Sequence, residues 1–103
     1  MTHAQPKLPE IDRLIHEPAR LTILTVLSSC RSADFLFLLN VTGLSKGNLS
    51  VQISRLEEAA LVAVEKVIER KKTRTTISLT TEGRNAIENY WRAMDKIRKQ
   101  SRS

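Results

Sequence analysis

The apolar positions of this chain change period along its length, and each change predicts an element. Between residues 44 and 61, Leu49, Ile53, Leu56 and Ala60 recur at helical spacing and fall on one stripe of a helix. Gly47, Asn48, Ser50, Val51, Ser54 and Arg55 turn to the opposite side, which is small, hydrogen-bonding or cationic. From Val62 the pattern becomes that of strands. Val62, Val64, Val67 and Ile68 are answered by Thr73, Thr75, Thr76, Ile77 and Thr80, with Arg70, Lys71, Lys72 and Thr73 between them. This predicts a two-stranded hairpin with a cationic tip. The tip has no Asn-Gly pair, so its turn type stays open. A lone hairpin is marginal in water and must pack on the helices.

Upstream, Ile11, Leu14 and Ile15 share one side of a short helix expected from Pro9 onward. Pro18 suits the first turn of a second helix, where its missing N–H costs nothing; that helix is expected over 18–29 with Leu21, Ile23, Leu24 and Leu27 inward. Ser32 is the expected N-cap of a short apolar helix over 33–41, built around Phe35, Leu36, Leu38 and Leu39. Thr42-Gly43 reads as a break with a left-handed glycine, Leu44 as an inward residue, and Ser45 as the cap of the helix that follows. Two helices joined by a short Gly-containing turn match the helix-turn-helix pattern. Thr81 is the expected cap of a last helix, with Glu82 in its first turn. Its stripe of Ala86, Ile87, Tyr90, Trp91, Met94 and Ile97 runs towards Arg98. So little core remains for this helix to cover that Tyr90, Trp91, Met94 and Ile97 are expected at a dimer interface, joined by Ile11, Leu14 and Ile15.

Composition narrows the class. Hydrophobic residues are 41% and charged residues 27% of 103, an ordinary globular balance for one domain. No apolar run approaches the ~18 residues of a membrane span, and the first residues lack the pattern of a secretory signal, so a cytoplasmic protein is expected. Cys30 is the sole cysteine, which excludes an intrachain disulfide and a multi-cysteine zinc site; it reads as a small apolar residue near a helix end. His3 and His16 form no metal constellation, and neither a catalytic triad nor a Gly-rich phosphate loop is present. No enzyme, metal or cofactor is expected.

The net charge of +6 is unevenly spread. Residues 1–20 balance, whereas Arg70, Lys71, Lys72 and Arg74 form one cluster and Arg92, Lys96, Arg98, Lys99 and Arg102, against Asp95, form another. Clustered excess points to an anionic polymer. A helix face of short polar side chains and arginine suits the major groove of double-stranded DNA. Ser45, Lys46, Asn48, Ser50, Val51, Ser54 and Arg55 are therefore the candidate contacts. Asn48 suits adenine N6/N7 or, on the other reading, local capping near Ser45; Arg55 suits guanine or phosphate, and Lys46 phosphate. Ser50 and Ser54 read equally well as solvated surface. At the hairpin tip, Arg70 and Arg74 suit a narrow minor groove and Lys71 and Lys72 suit phosphates. A charged turn that deters edge-to-edge pairing is the competing reading.

Taken together, residues 16–24, 34–39, 42–50, 56–59 and 77–84 resemble the winged-helix regulators of the MarR/ArsR type, over about 11–90. The resemblance implies a mainly α fold with a small β-hairpin: a winged helix-turn-helix with an additional C-terminal dimerisation helix. On this reading the single domain spans 1–103, with a loose arm at 1–8, a core at 9–79 and the last helix at 80–103. It implies a recognition helix over about 46–59, a basic wing at 70–74, and a homodimer that represses transcription from a palindromic operator. A winged-helix module that binds another protein is the alternative. No effector is identified. Two places depart from the family pattern: Ala60 stands where relatives commonly have Gly, and the stretch Lys71-Lys72-Thr73 where they often have Gly or Pro.

Overall fold

Every helix begins on a side chain that takes up its first backbone donors. In the computed structural model, which describes residues 10–101, Glu17 caps α1 (Pro18–Ser28) and Asp34 caps α2 (Phe35–Thr42). Ser45 caps α3 (Lys46–Glu58), and Thr80 caps α4 (Thr81–Gln100). Among the described residues, three antiparallel strands join the helices: β1 (Ala33–Asp34), β2 (Val62–Glu69) and β3 (Lys72–Leu79), in the order β1-β3-β2. The expected arm at 1–8, His3 and Arg102 lie outside the described residues.

Several expectations shift. Residues 10–15 do not form a helix; Leu14 N–H instead bonds the Asp12 carboxylate at 3.0 Å in a turn. Ser32 is not a cap. Ala33 and Asp34 pair with Ile77 and Thr76 as a third strand, and the Asp34 carboxylate accepts the Phe37 N–H at 2.7 Å. At the start of α4 the cap is Thr80 rather than Thr81. Its hydroxyl donates to the Ala60 carbonyl at 2.6 Å and accepts from Gly83 N–H at 2.9 Å, tying the end of the helix-turn-helix to the last helix.

Among the described residues, fourteen apolar side chains form the core, including Ile23, Leu24 and Leu27 of α1, Leu38 of α2, Leu49, Ile53 and Leu56 of α3, Val62 and Ile77 of the sheet, and Ile87 of α4. On α2 only Leu38 is buried; Leu36 and Phe37 face outward, because an eight-residue helix laid on one side of the core can bury just one stripe. The stripe of α3 ends at Leu56. Ala60 lies past the helix end, exposed, with φ 63°, the left-handed backbone that favours glycine. Gly83 is required by contact: a Cβ there would meet the Leu61 carbonyl oxygen at 1.9 Å. Among the described residues, no helix is long and apolar enough to cross a membrane.

Candidate nucleic-acid interface

The core-facing side of α3 is fixed by Leu49 and Leu56, both fully buried, and by Ile53. Burial of three such side chains holds the helix by several kcal/mol, at about 1.5–3 kcal/mol each. Helical geometry then turns Lys46, Asn48, Ser50, Val51, Ser54 and Arg55 to solvent, and all six are exposed. Val51, 48% exposed, presents an apolar surface suited to a thymine methyl group. Ser45 is exposed too, but its Oγ accepts the Asn48 N–H at 3.1 Å, which makes it first a cap.

The hairpin closes with a two-residue loop. Glu69 pairs with Lys72, leaving Arg70 (φ 48°) and Lys71 (φ 66°) as the turn. Positive φ at both positions is the type I′ geometry, whose twist matches that of the flanking strands. Neither residue is glycine or asparagine, so the turn holds roughly 1–2 kcal/mol of backbone strain per residue. Arg70, Lys71, Lys72 and Arg74 are all exposed.

The candidates divide into two groups. Ser50 and Ser54 of α3 share a groove with Glu57 and with Lys66 and Thr75 of the hairpin, which lie directly opposite each other in the ladder. Arg70, Lys72 and Arg74 line a separate groove with Leu36 of α2. The base of the wing thus adjoins α3, while the tip stands beside α2. Sequence reasoning missed Lys66 and Thr75 as members of this surface; their direct pairing sets them on one face, but that register follows from the two-residue turn, which the sequence left open.

It also missed Arg20, which is 9% exposed. Arg20 lies three, four and seven residues before Ile23, Leu24 and Leu27, so its place on the apolar stripe of α1 was visible. Its Nε donates to the Leu14 carbonyl at 2.5 Å and its Nη1 to Gln52 Oε1 at 2.8 Å, with Glu17 Oε2 3.7 Å away. Gln52 Nε2 in turn donates to Asn48 Oδ1 at 3.0 Å. Burial pushes the Glu17 carboxyl up, but the backbone N–H groups of Arg20 and Ala19 and the charges of Arg20 and Arg55 outweigh it. The carboxyl is held below its ordinary value.

At the expected dimer interface, Ile15 (0% exposed) and Tyr90 (3%) are corrections. Both are consumed by this chain's own core, and the Tyr90 hydroxyl also meets His16 Nδ1 at 2.8 Å. Ile11, Leu14 and Met94 pack partly against the core, Ile97 is half-buried, and Trp91 is 46% exposed. The fully buried positions of α4 stop at Tyr90, so beyond it Trp91, Met94 and Ile97 are only partly covered, Met94 by the edge of the core.

Comparison with known proteins places this geometry. Residues 19–98 match the family model described as a winged helix DNA-binding domain. An uncharacterized protein of Methanocaldococcus jannaschii is 30% identical over 78 residues, 76% of this chain and 85% of that protein. The solved structure of a transcriptional regulator homologue from Pyrococcus horikoshii superposes with a TM-score of 0.81 at 28% identity, covering 85% of this chain and 87% of that one. Rv0081 of Mycobacterium tuberculosis shares the fold, with a TM-score of 0.72 at 22% identity over 88% of each chain. The chain therefore belongs to the winged helix DNA-binding domain family, and the Pyrococcus horikoshii structure it resembles is described as a transcriptional regulator homologue.

Proposed function

We propose that this DNA-binding regulator acts in the cytoplasm as a homodimeric repressor of a palindromic operator. Each α3 enters a major groove with Lys46, Asn48, Ser50, Val51, Ser54 and Arg55, and each wing brings Arg70, Lys71, Lys72 and Arg74 to the flanking backbone and minor groove. The reading is carried by one observation: α3 anchors itself through Leu49, Ile53 and Leu56 while its reverse side is wholly exposed. Lys66 and Thr75, sharing the groove with Ser50 and Ser54, extend the surface as phosphate partners.

Pairing of two chains rests on the outer half of α4, where Trp91, Met94 and Ile97 meet their counterparts and Ile11 and Leu14 border the contact. Such a dimer reads half-sites one helical turn apart, about 34–36 Å. The test is anisotropy titration against duplexes selected from a random pool, at several salt concentrations, with sedimentation to count chains. Two chains per duplex and an affinity that falls steeply with salt are expected. Salt-independent or absent binding removes the reading. It would favour instead the docking of another protein, to which the exposed Leu36, Phe37 and Val41 of α2 lend support.

A further inference from the structure

The donors and acceptors around Arg20 decide which edge of the Asn48 side chain is turned outward. Arginine donates hydrogen bonds and accepts none. The Gln52 atom bonded to Arg20 Nη1 at 2.8 Å is therefore its oxygen, and the Gln52 amide nitrogen is directed away from Arg20. That nitrogen can only donate, so the Asn48 atom it meets at 3.0 Å is Oδ1. Asn48 Oδ1 is thus directed along α3 by the bond it accepts from Gln52, and the two N–H groups of Nδ2 remain for a partner. Arg20 cannot turn to reverse the chain of bonds. It is buried, its Nε is held by the Leu14 carbonyl, and Glu17 Oε2 stands 3.7 Å from the same Nη1 that meets Gln52.

We propose that Arg20 and Gln52 are positioning residues that present Asn48 to DNA as a hydrogen-bond donor. The base it meets then offers acceptors, guanine O6 and N7 foremost, and cytosine, whose major-groove group is a donor, is rejected. The bidentate adenine pairing suggested by residue type is disfavoured, because the Asn48 oxygen it would use already accepts from Gln52 and is held along α3. This inference rests on the DNA-binding reading above and deepens it.

Gln52→Glu supplies the test while leaving the buried arginine intact. A carboxylate accepts from Arg20 and can only accept from Asn48, so the Asn48 amide must turn and offer its oxygen outward. Gln52→Met cuts the chain and leaves the amide free. The full chain and both variants are compared for base preference at every operator position, at one fixed salt concentration. The parent is expected to favour guanine over cytosine at one position by about five-fold, the discrimination of a single hydrogen bond. Gln52→Glu should reverse that order there and nowhere else, and Gln52→Met should level it. Salt-dependent binding with one unchanged preference profile in all three proteins overturns the proposal.

Side-chain amide exchange in the free proteins, followed by NMR, separates this failure from failure of the DNA reading. Protection is expected on the Gln52 amide in the parent and on the Asn48 amide in Gln52→Glu. Transfer of protection without any DNA binding upholds the placement of Asn48 and rejects the DNA reading. No transfer of protection rejects the placement itself.

Discussion

The recognition helix and the wing tip both hold polar groups out to solvent, and they do so by opposite means. Helix α3 is capped by Ser45, backed by Leu49, Ile53 and Leu56, and braced at Gln52 by a buried arginine. Its outward side chains stand on a backbone with no strain and little freedom. At the wing tip, Arg70 and Lys71 occupy left-handed backbone, and from Glu69 to Arg74 every residue is exposed. The tip has no core beneath it, so its local stability is low. The difference teaches a division of labour. A stiff element with a fixed donor and acceptor pattern is suited to discriminate bases, whereas a yielding cationic tip is suited to follow phosphates.

That comparison breaks most severely if the anchor of α3 is removed. Leu56→Ala empties a fully buried site and should destabilise the chain by about 2–5 kcal/mol in denaturant unfolding. It should weaken binding to every duplex alike, while a loss below about 1 kcal/mol would mean that α3 is held by something else. Next in size, replacing Arg70, Lys71, Lys72 and Arg74 together with alanine should lower the slope of log affinity against log salt by up to about 7 for a dimer. Base preference should survive this change.

A third change sharpens the contrast inside the wing. Substituting Asn-Gly for Arg70-Lys71 places residues that favour type I′ geometry at the two left-handed positions. Thermal unfolding should show a gain of up to about 2–4 kcal/mol, the strain of the two positions together, and affinity should fall uniformly across sequences. A gain in stability with a loss in binding identifies the strained cations as kept for DNA rather than for folding. No gain in stability would mean that the tip backbone differs from the one described here.

The smallest effect concerns the cap of α1. Because the Glu17 carboxyl is depressed in the folded chain, its contribution is present above the ordinary carboxylate value of 4.5 and disappears as pH falls through the lower folded value. Glu17→Gln should cost about 1 kcal/mol near neutral pH, the usual worth of a capping side chain. The gap between parent and variant should close on acidification; a gap independent of pH would exclude the charge as its cause.

Much of this division was legible in the sequence where one residue type has one physical use. Pro18 opens a helix, Gly43 turns left-handed at φ 69°, Ser45 caps α3, and the 49–53–56 spacing sets its inner face. What was not legible depends on contacts remote in sequence. Ala33 and Asp34 carry no strand period of their own; only Ile77 and Thr76 across the fold make them one, and with them Asp34 becomes the cap in place of Ser32. Thr80 and Thr81 are chemically alike, and the Ala60 carbonyl selects the first. Tyr90 lies on the same stripe as Trp91, yet one is core and the other surface, because periodicity gives direction and not what stands in that direction. Within the interface, residue type suggested asparagine at 48, but the orientation of its amide is set by Arg20, twenty-eight positions earlier in the chain.

The division between α3 and the wing is tested most directly by the base-preference profile of Asn48→Ala and Arg74→Ala beside the parent, from duplexes selected out of a random pool at one stated salt. Asn48→Ala should flatten one position in each half-site and leave the others intact, while Arg74→Ala should keep the whole profile and only weaken binding. The opposite pattern, with Arg74→Ala erasing preference and Asn48→Ala leaving it whole, would contradict the account.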